Sequence, residues 1–218
     1  MAVTKQTTKR NQPAMRARNA EATRQKILDA ACIAFASKGI EARIEDIAEE
    51  ASTNRRMIYY YFGSKEGLYL TALEETYLAL VKAESEIDID RLSPLEALTA
   101  LVETKFDYYV THPEYVQFVK MENIYEARHL RESDRLDELK APMAKMLAKV
   151  IKRGQKQGSI RAGVEPLDLY LTICALGYFI FSNRHTLSAI FGFDPTSSAA
   201  LKKRKRVILD LVMGYVRP

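Results

Sequence analysis

The sequence predicts an all-α protein, and three observations lead to this fold class. The 218-residue chain contains only 9 glycines and 7 prolines, so long segments run without the residues that most often interrupt helices. Apolar residues in these segments recur at spacings of three and four, whereas the alternation expected of strands is rare. A content of 47% hydrophobic and 28% charged residues is typical of a globular protein with a substantial core.

The segment 41–68 predicts two short helices joined by a tight corner. Within residues 43–50 the apolar side chains of Ile44, Ile47 and Ala48 recur at i, i+3 and i+4, which places them on one helical face. Charged residues occupy the opposite face. The segment therefore begins with a short amphipathic helix that packs on a core.

Capping residues mark where the next two helices begin. Asn54 precedes the second helix, predicted over residues 55–61, and its side chain is suited to accept a hydrogen bond from the next turn. Ser64 is placed to cap the following helix in the same way, and Glu66 in its first turn suits the helix dipole. The second and third helices of the segment are thus each predicted to begin at a defined residue.

Two short helices joined in this way form a helix-turn-helix, whose second helix enters the major groove of DNA. The side chains left facing outward offer guanidinium groups for guanine, an amide for adenine and hydroxyls for phosphate. These candidate DNA contacts are Asn54, Arg55, Arg56, Tyr59 and Tyr60. The alternative is a helical corner of an all-α domain whose basic face is merely solvated.

The same segment resembles the DNA-binding domain of the TetR family of transcriptional regulators, over roughly residues 21–70. The positions that match the family pattern at fixed spacing are Phe35, Gly39, Asp46, Ile47, Ala48, Tyr59, Tyr60, Tyr61, Phe62, Ser64, Lys65, Glu66 and Leu68. The resemblance implies that Tyr59 and Lys65 hold DNA phosphates, Lys65 at a helix N-terminus that itself favours an anion. Arg43 stands where the family often has a capping threonine, which implies an arginine contact to DNA at that position.

The sequence departs from the family pattern at the corner. Ser52 and Thr53 stand where the family has Gly-Val, and Arg56 and Met57 replace a glycine and a threonine in the second helix. Ser52 must therefore avoid a positive φ or adopt one at some energetic cost.

Residues 1–18 carry five basic residues and no acidic one, which equals the whole formal charge of +5. This composition predicts a disordered basic arm that follows the DNA backbone or enters a minor groove. The alternative is a solubilising tail. The predicted domains are this arm, a DNA-binding domain over residues 19–68 and a helical effector-binding and dimerisation domain over residues 69–218.

The remaining chain predicts further helices, separated by proline-containing and polar turns. A first helix precedes the corner, and the full set is expected at about 20–37, 65–86, 94–110, 114–128, 134–157, 166–190 and 196–216. The C-terminal half resembles, more weakly, the effector and dimerisation domain of the TetR family, particularly its pyrimidine-utilisation regulators. This resemblance implies a homodimer that binds double-stranded operator DNA and a small-molecule effector.

The segment 173–181 is apolar all round and must be covered on every side, either by the fold itself or by a second subunit. We expect a dimer that forms through the last two predicted helices. The residues expected to supply the apolar surface are Ile173, Leu176, Phe179, Ile180, Leu211 and Val212. The basic run 202–206 suggests a solvated flank, or alternatively a second nucleic-acid patch.

Aromatic and polar residues near the same helix are the candidate ligand contacts, because pockets in helical bundles are apolar with a few orienting polar groups. The candidates are Tyr170, Tyr178, Arg184 and His185. For the polar group that begins at Asn183, the alternative is an interhelical or intersubunit network that ends the helix.

Motifs of enzymes and cofactor sites are absent from the sequence: it has no P-loop, G-x-S-x-G, H-E-x-x-H or dinucleotide-binding turn. We therefore expect neither a catalytic site nor a metal or cofactor. Cys32 and Cys174 lie in apolar runs and predict buried free thiols. No secretory signal or membrane span is expected, which predicts a cytoplasmic protein.

The resemblance to the TetR family implies a ligand-responsive transcriptional repressor that a small molecule releases from a palindromic operator. A ligand-independent DNA-binding regulator or activator is the first alternative. A helical-bundle enzyme or carrier is a more distant one.

Overall fold

The computed structural model describes residues 12–140 and 142–218. These residues form twelve α-helices and one 3₁₀ turn, with no strand among them, and the predicted all-α class is confirmed. The chain divides into two compact units, Met1–Leu73 and Glu74–Pro218. The division follows Leu73, so the first unit includes the first part of the helix that begins at Lys65.

The first unit contains the first three α-helices and the beginning of the fourth. In chain order these are α1 (Gln12–Lys38), a 3₁₀ turn (Gly39–Glu41), α2 (Ile44–Glu50), α3 (Arg55–Phe62) and α4 (Lys65–Ser85). The second unit contains the rest of α4 and eight more helices. They are α5 (Pro94–Thr111), α6 (Pro113–Ile124), α7 (Arg128–Arg131), α8 (Leu136–Lys140), α9 (Pro142–Lys156), α10 (Pro166–Ser182), α11 (Arg184–Phe191) and α12 (Ser198–Val216).

The core of the first unit is built from the apolar faces that the sequence pattern predicts. Ile47 of α2 and Ile58 of α3 are completely buried. Phe35 of α1 and Tyr69 of α4 are buried as well, and their rings meet edge to face at 5.2 Å. Because α3 is anchored on this core through Ile58, the rest of its surface is left for another role.

The core of the second unit lies among α5, α6, α9, α10 and α12. Leu98 of α5, Leu147 of α9 and Ile208 of α12 are among its buried residues. The helix α10 packs closely on α5 at Gly177, where an added Cβ would lie 3.1 Å from the ring of Tyr109. A side chain at Gly177 would therefore push these two helices apart.

Several helices begin or end away from their predicted positions. The helix α1 starts at Gln12, so residues 12–18 of the predicted arm are helical, and residues 1–11 lie outside the described part of the chain. The helix predicted over 166–190 is two helices that meet at Asn183. The helix predicted over 134–157 is likewise divided, into α8 and α9.

The two cysteines differ from their predicted state. Cys32 and Cys174 form no disulfide with a described residue, and both are partly exposed rather than fully buried. In the described part of the chain, none of the helices has both the length and the apolar character needed to cross a membrane.

Candidate DNA-binding face and buried polar cluster

The start of α3 is fixed by Asn54, as the sequence predicts. Its side-chain Oδ1 accepts a hydrogen bond from the backbone amide of Met57 at 3.1 Å. At the start of α4, Ser64 Oγ accepts from the backbone amide of Gly67 at 2.9 Å. Both caps satisfy amides that a helix N-terminus leaves without a partner, so the two helices begin at defined residues.

The corner between α2 and α3 adopts the strained one of the two conformations that its sequence left open. Ser52 has φ +50°, in the left-handed region that favours glycine. The corner is held by backbone hydrogen bonds from Ser52 to Glu49 at 3.0 Å and from Thr53 to Ala48 at 2.9 Å. A left-handed conformation costs a residue with a Cβ about 1–2 kcal/mol, so the surrounding core imposes it.

The cap limits what Asn54 offers to DNA. A bidentate contact to adenine uses both the side-chain oxygen and the side-chain amino group of asparagine. Because the oxygen of Asn54 is engaged with Met57, only its amino group remains to donate. In this conformation Asn54 serves to position α3, with at most a single hydrogen bond to a base or phosphate.

The neighbouring arginines of α3 have different surroundings. Arg55 Nη1 lies 2.9 Å from Glu45 Oε1 of α2, so an acidic side chain holds its guanidinium group. Arg56 is exposed and forms no ion pair with any described residue. The structure therefore leaves Arg56 as the arginine of α3 whose whole guanidinium fork can meet a base.

The two predicted tyrosine contacts also lie on the outer side of α3. Tyr60 is 76% exposed, and its ring lies edge to face on that of Tyr61 at 5.1 Å. Tyr59 is 40% exposed, which leaves its hydroxyl accessible. Together with Arg56 they give α3 an outward face with one free cation and two phenol hydroxyls.

Lys65 and Arg43 lie at the N-termini of helices. Lys65 is the first residue of α4 and is half-buried, beside the cap formed by Ser64. Arg43 is the N-cap residue of α2 but makes no side-chain cap, and its Nε lies 3.9 Å from a carboxylate oxygen of Glu45. A helix N-terminus and a lysine together favour a phosphate at the start of α4.

The second unit contains a buried ion pair that the sequence did not predict. Lys105 of α5 donates hydrogen bonds to Glu84 Oε1 of α4 at 2.8 Å and to the Tyr170 hydroxyl of α10 at 2.7 Å. The side chains of Lys105 and Glu84 are each only 2% exposed. Three helices thus meet at one ammonium group.

Each charge of this pair offsets part of the free-energy cost of burying the other. Burial raises the pKa of Glu84, and the adjacent Lys105 ammonium opposes that rise. Burial acts to lower the pKa of Lys105, but Cys174, Glu84 and Tyr115 outweigh it, so this pKa is raised. We conclude that Lys105 remains charged and needs an anionic partner.

Tyrosine rings surround the ion pair. The rings of Tyr109 and Tyr115 are stacked with centroids 5.7 Å apart, and Tyr77 lies 5.3 Å from Tyr115. Burial raises the pKa values of these three phenols and of Tyr170, which keeps them neutral. We call Glu84, Lys105, Tyr77, Tyr109, Tyr115, Tyr170 and Cys174 the buried polar cluster.

The structure separates the four predicted ligand contacts into two pairs. Tyr170 belongs to the buried polar cluster, and Tyr178 lies one helical turn beyond Cys174 on α10, with its hydroxyl 3.4 Å from the carbonyl oxygen of Val116. Arg184 and His185 are exposed on α11, and Arg184 Nε donates to His185 Nε2 at 3.1 Å. The structure therefore groups Tyr170 with Lys105 and Glu84, rather than with this exposed pair.

An exposed apolar face extends along α10 and α12. Leu167, Leu171 and Phe179 of α10 are each more than half exposed, as is Leu211 of α12. Of the residues predicted to form the dimer contact, Ile173, Ile180 and Val212 are instead buried in the core of one chain, and Leu176 packs against that core. These residues lie on the sides of α10 and α12 that pack against α5 and its neighbours, whereas Phe179 and Leu211 lie on the exposed sides.

A largely apolar open cavity of about 560 Å³ lies beside this face, between α10, α11 and α12. Its lining residues are Phe179, Ile180, Leu187, Phe191, Phe193, Pro195, Ala200, Lys203, Arg204 and Val207. Two residues of the basic run in α12 are engaged within the chain: Arg204 donates to the carbonyl oxygen of Leu176, and Lys205 lies 2.6 Å from Asp107. This favours the predicted solvated flank over a second nucleic-acid patch.

Comparisons with known proteins match both units. The family model described as bacterial regulatory proteins, tetR family, matches residues 27–72, and the model described as tetracyclin repressor-like, C-terminal domain, matches residues 94–212. The HTH-type transcriptional repressor NicS of Pseudomonas putida is 39% identical over 204 residues, which covers 93% of this chain and 96% of the relative. The HTH-type transcriptional regulator RutR of Escherichia coli is 29% identical over 210 residues, with coverage of 93% and 94%.

Solved structures share the fold over nearly the whole chain. The transcriptional regulator SCO4942 of Streptomyces coelicolor superposes with a TM-score of 0.66 at 26% identity, covering 90% of this chain and 99% of its own. The ketosteroid transcriptional regulator KstR2 of Mycobacterium tuberculosis gives a TM-score of 0.67 at 22% identity, with coverage of 89% and 95%. The fold is therefore shared beyond the range of clear sequence similarity.

Proposed function

Because the chain belongs to the TetR family of transcriptional regulators, we propose that it is a homodimeric repressor that a small molecule releases from a palindromic operator. The observation that carries the proposal is the outward face of α3, where Arg56, Tyr59 and Tyr60 are exposed beside a capped helix start. A rigid helix with such a face is suited to the major groove.

Base recognition and phosphate binding are assigned to different residues of the first unit. Arg56 has the free guanidinium fork needed to read a guanine, whereas Lys65 and Tyr59 are suited to phosphates and carry no sequence information. Arg55 and Arg43 lie close to Glu45, so we assign them to positioning contacts at the DNA backbone. Residues 1–11 would add phosphate contacts through their basic side chains.

The exposed apolar face of α10 and α12 supports a homodimer. Leu167, Leu171 and Phe179 follow one another at spacings of four and eight residues along α10. Leu211 and Tyr215 are exposed four residues apart on α12. Contiguous apolar surface of this kind marks an interaction site, and a two-fold axis would pair the face with itself. The dimer would present two α3 helices to half-sites about one helical turn, or ~34 Å, apart.

The second unit is the proposed effector domain. Its buried polar cluster joins α4, α5 and α10, and α4 also carries Lys65 at its start. An effector that changes the packing of α4 would therefore act on the same helix that supplies a DNA contact. The assignment of Tyr178, Arg184 and His185 to effector binding stays a prediction.

The experiment that tests the proposal begins with selection of binding sites from random DNA by the purified protein. We expect a two-fold symmetric consensus, bound by a dimer, and loss of binding on addition of at least one compound from a metabolite library. A specific site whose affinity no compound changes would favour the ligand-independent regulator. The absence of any preferred sequence would contradict regulation through DNA.

A further inference from the structure

The ion pair in the buried polar cluster lies in otherwise apolar surroundings on α5. Lys105 lies on a face of α5 that is otherwise apolar, with Leu98, Leu101 and Val102 before it and Tyr109 after it. A buried ion pair is often no more stabilising than apolar side chains of similar size, because both charges lose their hydration. Stability alone therefore does not account for a lysine at this position.

We propose that Lys105 is the effector-recognition group, and that the effector is a small aromatic carboxylate whose carboxylate group replaces Glu84 as the partner of Lys105. This inference rests on the proposed function and specifies the ligand of the effector domain. In the structure described here, Glu84 occupies the place that the effector carboxylate takes.

The charge of Lys105 selects an anion. Its Nζ lies 2.8 Å from Glu84 Oε1 and is 2% exposed with the rest of the side chain, so water does not replace a lost partner. A neutral ligand that separated Lys105 from Glu84 would leave a buried ammonium group without an anion. A carboxylate compensates the ammonium charge, and the neutral Tyr170 hydroxyl can donate its proton to the same group.

The surroundings of Lys105 favour a planar ring. Tyr109 and Tyr115 are stacked, Tyr77 lies against Tyr115, and Tyr109 and Tyr178 meet edge to face at 6.2 Å. Offset and edge contacts of this kind suit an aromatic guest better than an aliphatic one. The ring would lie among the tyrosines while its carboxylate reaches Lys105.

One side of the cluster is covered by partly exposed side chains of α10. Tyr170, Cys174 and Tyr178 follow one another at a spacing of four, and all three are only half-buried, whereas Lys105 beneath them is buried. This stripe gives a ligand an entry to Lys105 through movement of side chains on a single helix. On the deeper side of the cluster, the backbone of α10 at Gly177 packs closely against the ring of Tyr109.

Replacement of Glu84 by the effector carboxylate removes a contact between α4 and α5. Glu84 lies in the last turn of that helix, and its contact with Lys105 joins α4 to α5. Once an effector carboxylate holds Lys105, this link between the two helices is broken. The effector thus acts by competing with a residue of the helix that also contains Lys65.

The test compares Lys105→Met with Lys205→Met in operator-binding titrations. Lys205 is the matched control, because it also forms a lysine–carboxylate pair, with Asp107, but on the surface of the same unit. The probes are benzoate, 2-hydroxybenzoate and 4-hydroxybenzoate, each paired with its amide. Operator affinity is measured by fluorescence anisotropy at constant ionic strength.

We expect at least one carboxylate to weaken operator binding about fivefold or more in the wild type and in Lys205→Met. Its amide should have no effect, and Lys105→Met should not respond. If Lys105→Met unfolds, the variant Glu84→Gln with Lys105→Met removes both charges and takes its place. Both variants lack the link between α4 and α5, so their operator affinity should already be near that of the effector-bound wild type, and the acid should not change it. A response that survives either variant, or an amide as effective as its acid, overturns the proposal.

Failure of the inference is distinguishable from failure of the proposed function. If none of the three acids acts but a neutral or cationic metabolite releases the operator, the ligand class is wrong and the repressor function stands. If no compound of any class changes operator affinity, the proposed function fails and the inference fails with it.

Discussion

Arg55 and Arg56 are adjacent residues of the same type, and their different surroundings predict different roles on DNA. Arg55 is held by Glu45 at 2.9 Å, whereas Arg56 is exposed and forms no ion pair with a described residue. Replacing each in turn by alanine removes the same charge from neighbouring positions of α3. The long-range electrostatic loss is therefore nearly equal in the two variants, and the difference between them reports the local contact.

The expected magnitudes follow from these contacts. A guanidinium group that reads a guanine contributes about 1–3 kcal/mol of discrimination, so Arg56→Ala should weaken specific binding about 5- to 150-fold per half-site. Arg55→Ala breaks an exposed ion pair worth about 0.2–1 kcal/mol and removes no base contact. Its effect on affinity should therefore be smaller, and similar on specific and random DNA.

The assay is competition binding by anisotropy against a panel of operators with a single base pair changed in each half-site. Arg56→Ala should lose its preference at one position and keep the others. Arg55→Ala should keep the wild-type preference at every position. Equal losses for both variants on specific and random DNA would refute base readout by Arg56, and a larger specific loss for Arg55→Ala would reverse the assignment.

Three further predictions follow from the described contacts. Lys65→Ala should weaken specific and random DNA alike and lower the log–log salt slope by about 0.9 for each phosphate that the side chain no longer neutralises, as measured in salt titrations. Gly67→Ala places a Cβ 2.3 Å from a backbone oxygen and should destabilise the protein by about 1–3 kcal/mol in urea unfolding, whereas Gly214→Ala, in open space within α12, should be neutral or stabilising by up to about 1 kcal/mol. Phe179→Glu should give folded monomers in sedimentation, while Val212→Glu, buried in the core, should unfold. A destabilised Gly214→Ala, a dimeric Phe179→Glu or an unchanged salt slope would contradict the respective argument.

The DNA-binding unit could be predicted closely because local rules determine it. Asn54 and Ser64 act as caps where their side-chain chemistry and position indicate. Ser52 adopts a positive φ, which is one of the two outcomes that the replacement of a glycine at the corner left open. The engagement of Arg55 with Glu45 was not predicted, because it depends on how α2 and α3 cross.

The second unit was predicted less completely because its contacts join distant parts of the chain. Lys105 and Glu84 are separated by 21 residues, and Tyr170 follows Lys105 by 65. The available signal was the position of Lys105 on the apolar face of α5, where a lysine is unexpected. Arg184 and His185 were singled out instead, because the sequence gives no proline or glycine to mark the break at Asn183.

We expect the effector to lower the affinity of this protein for the operator, and the operator to lower its affinity for the effector. Reciprocal titration measures both effects. Operator affinity is measured with and without the effector, and effector affinity is measured with and without the operator. Linkage requires both affinities to fall by the same factor, and we expect that factor to be at least about fivefold. A compound that binds equally well with and without operator, and leaves operator affinity unchanged, is not an effector. The same result for every compound that binds would contradict release of the operator by a small molecule.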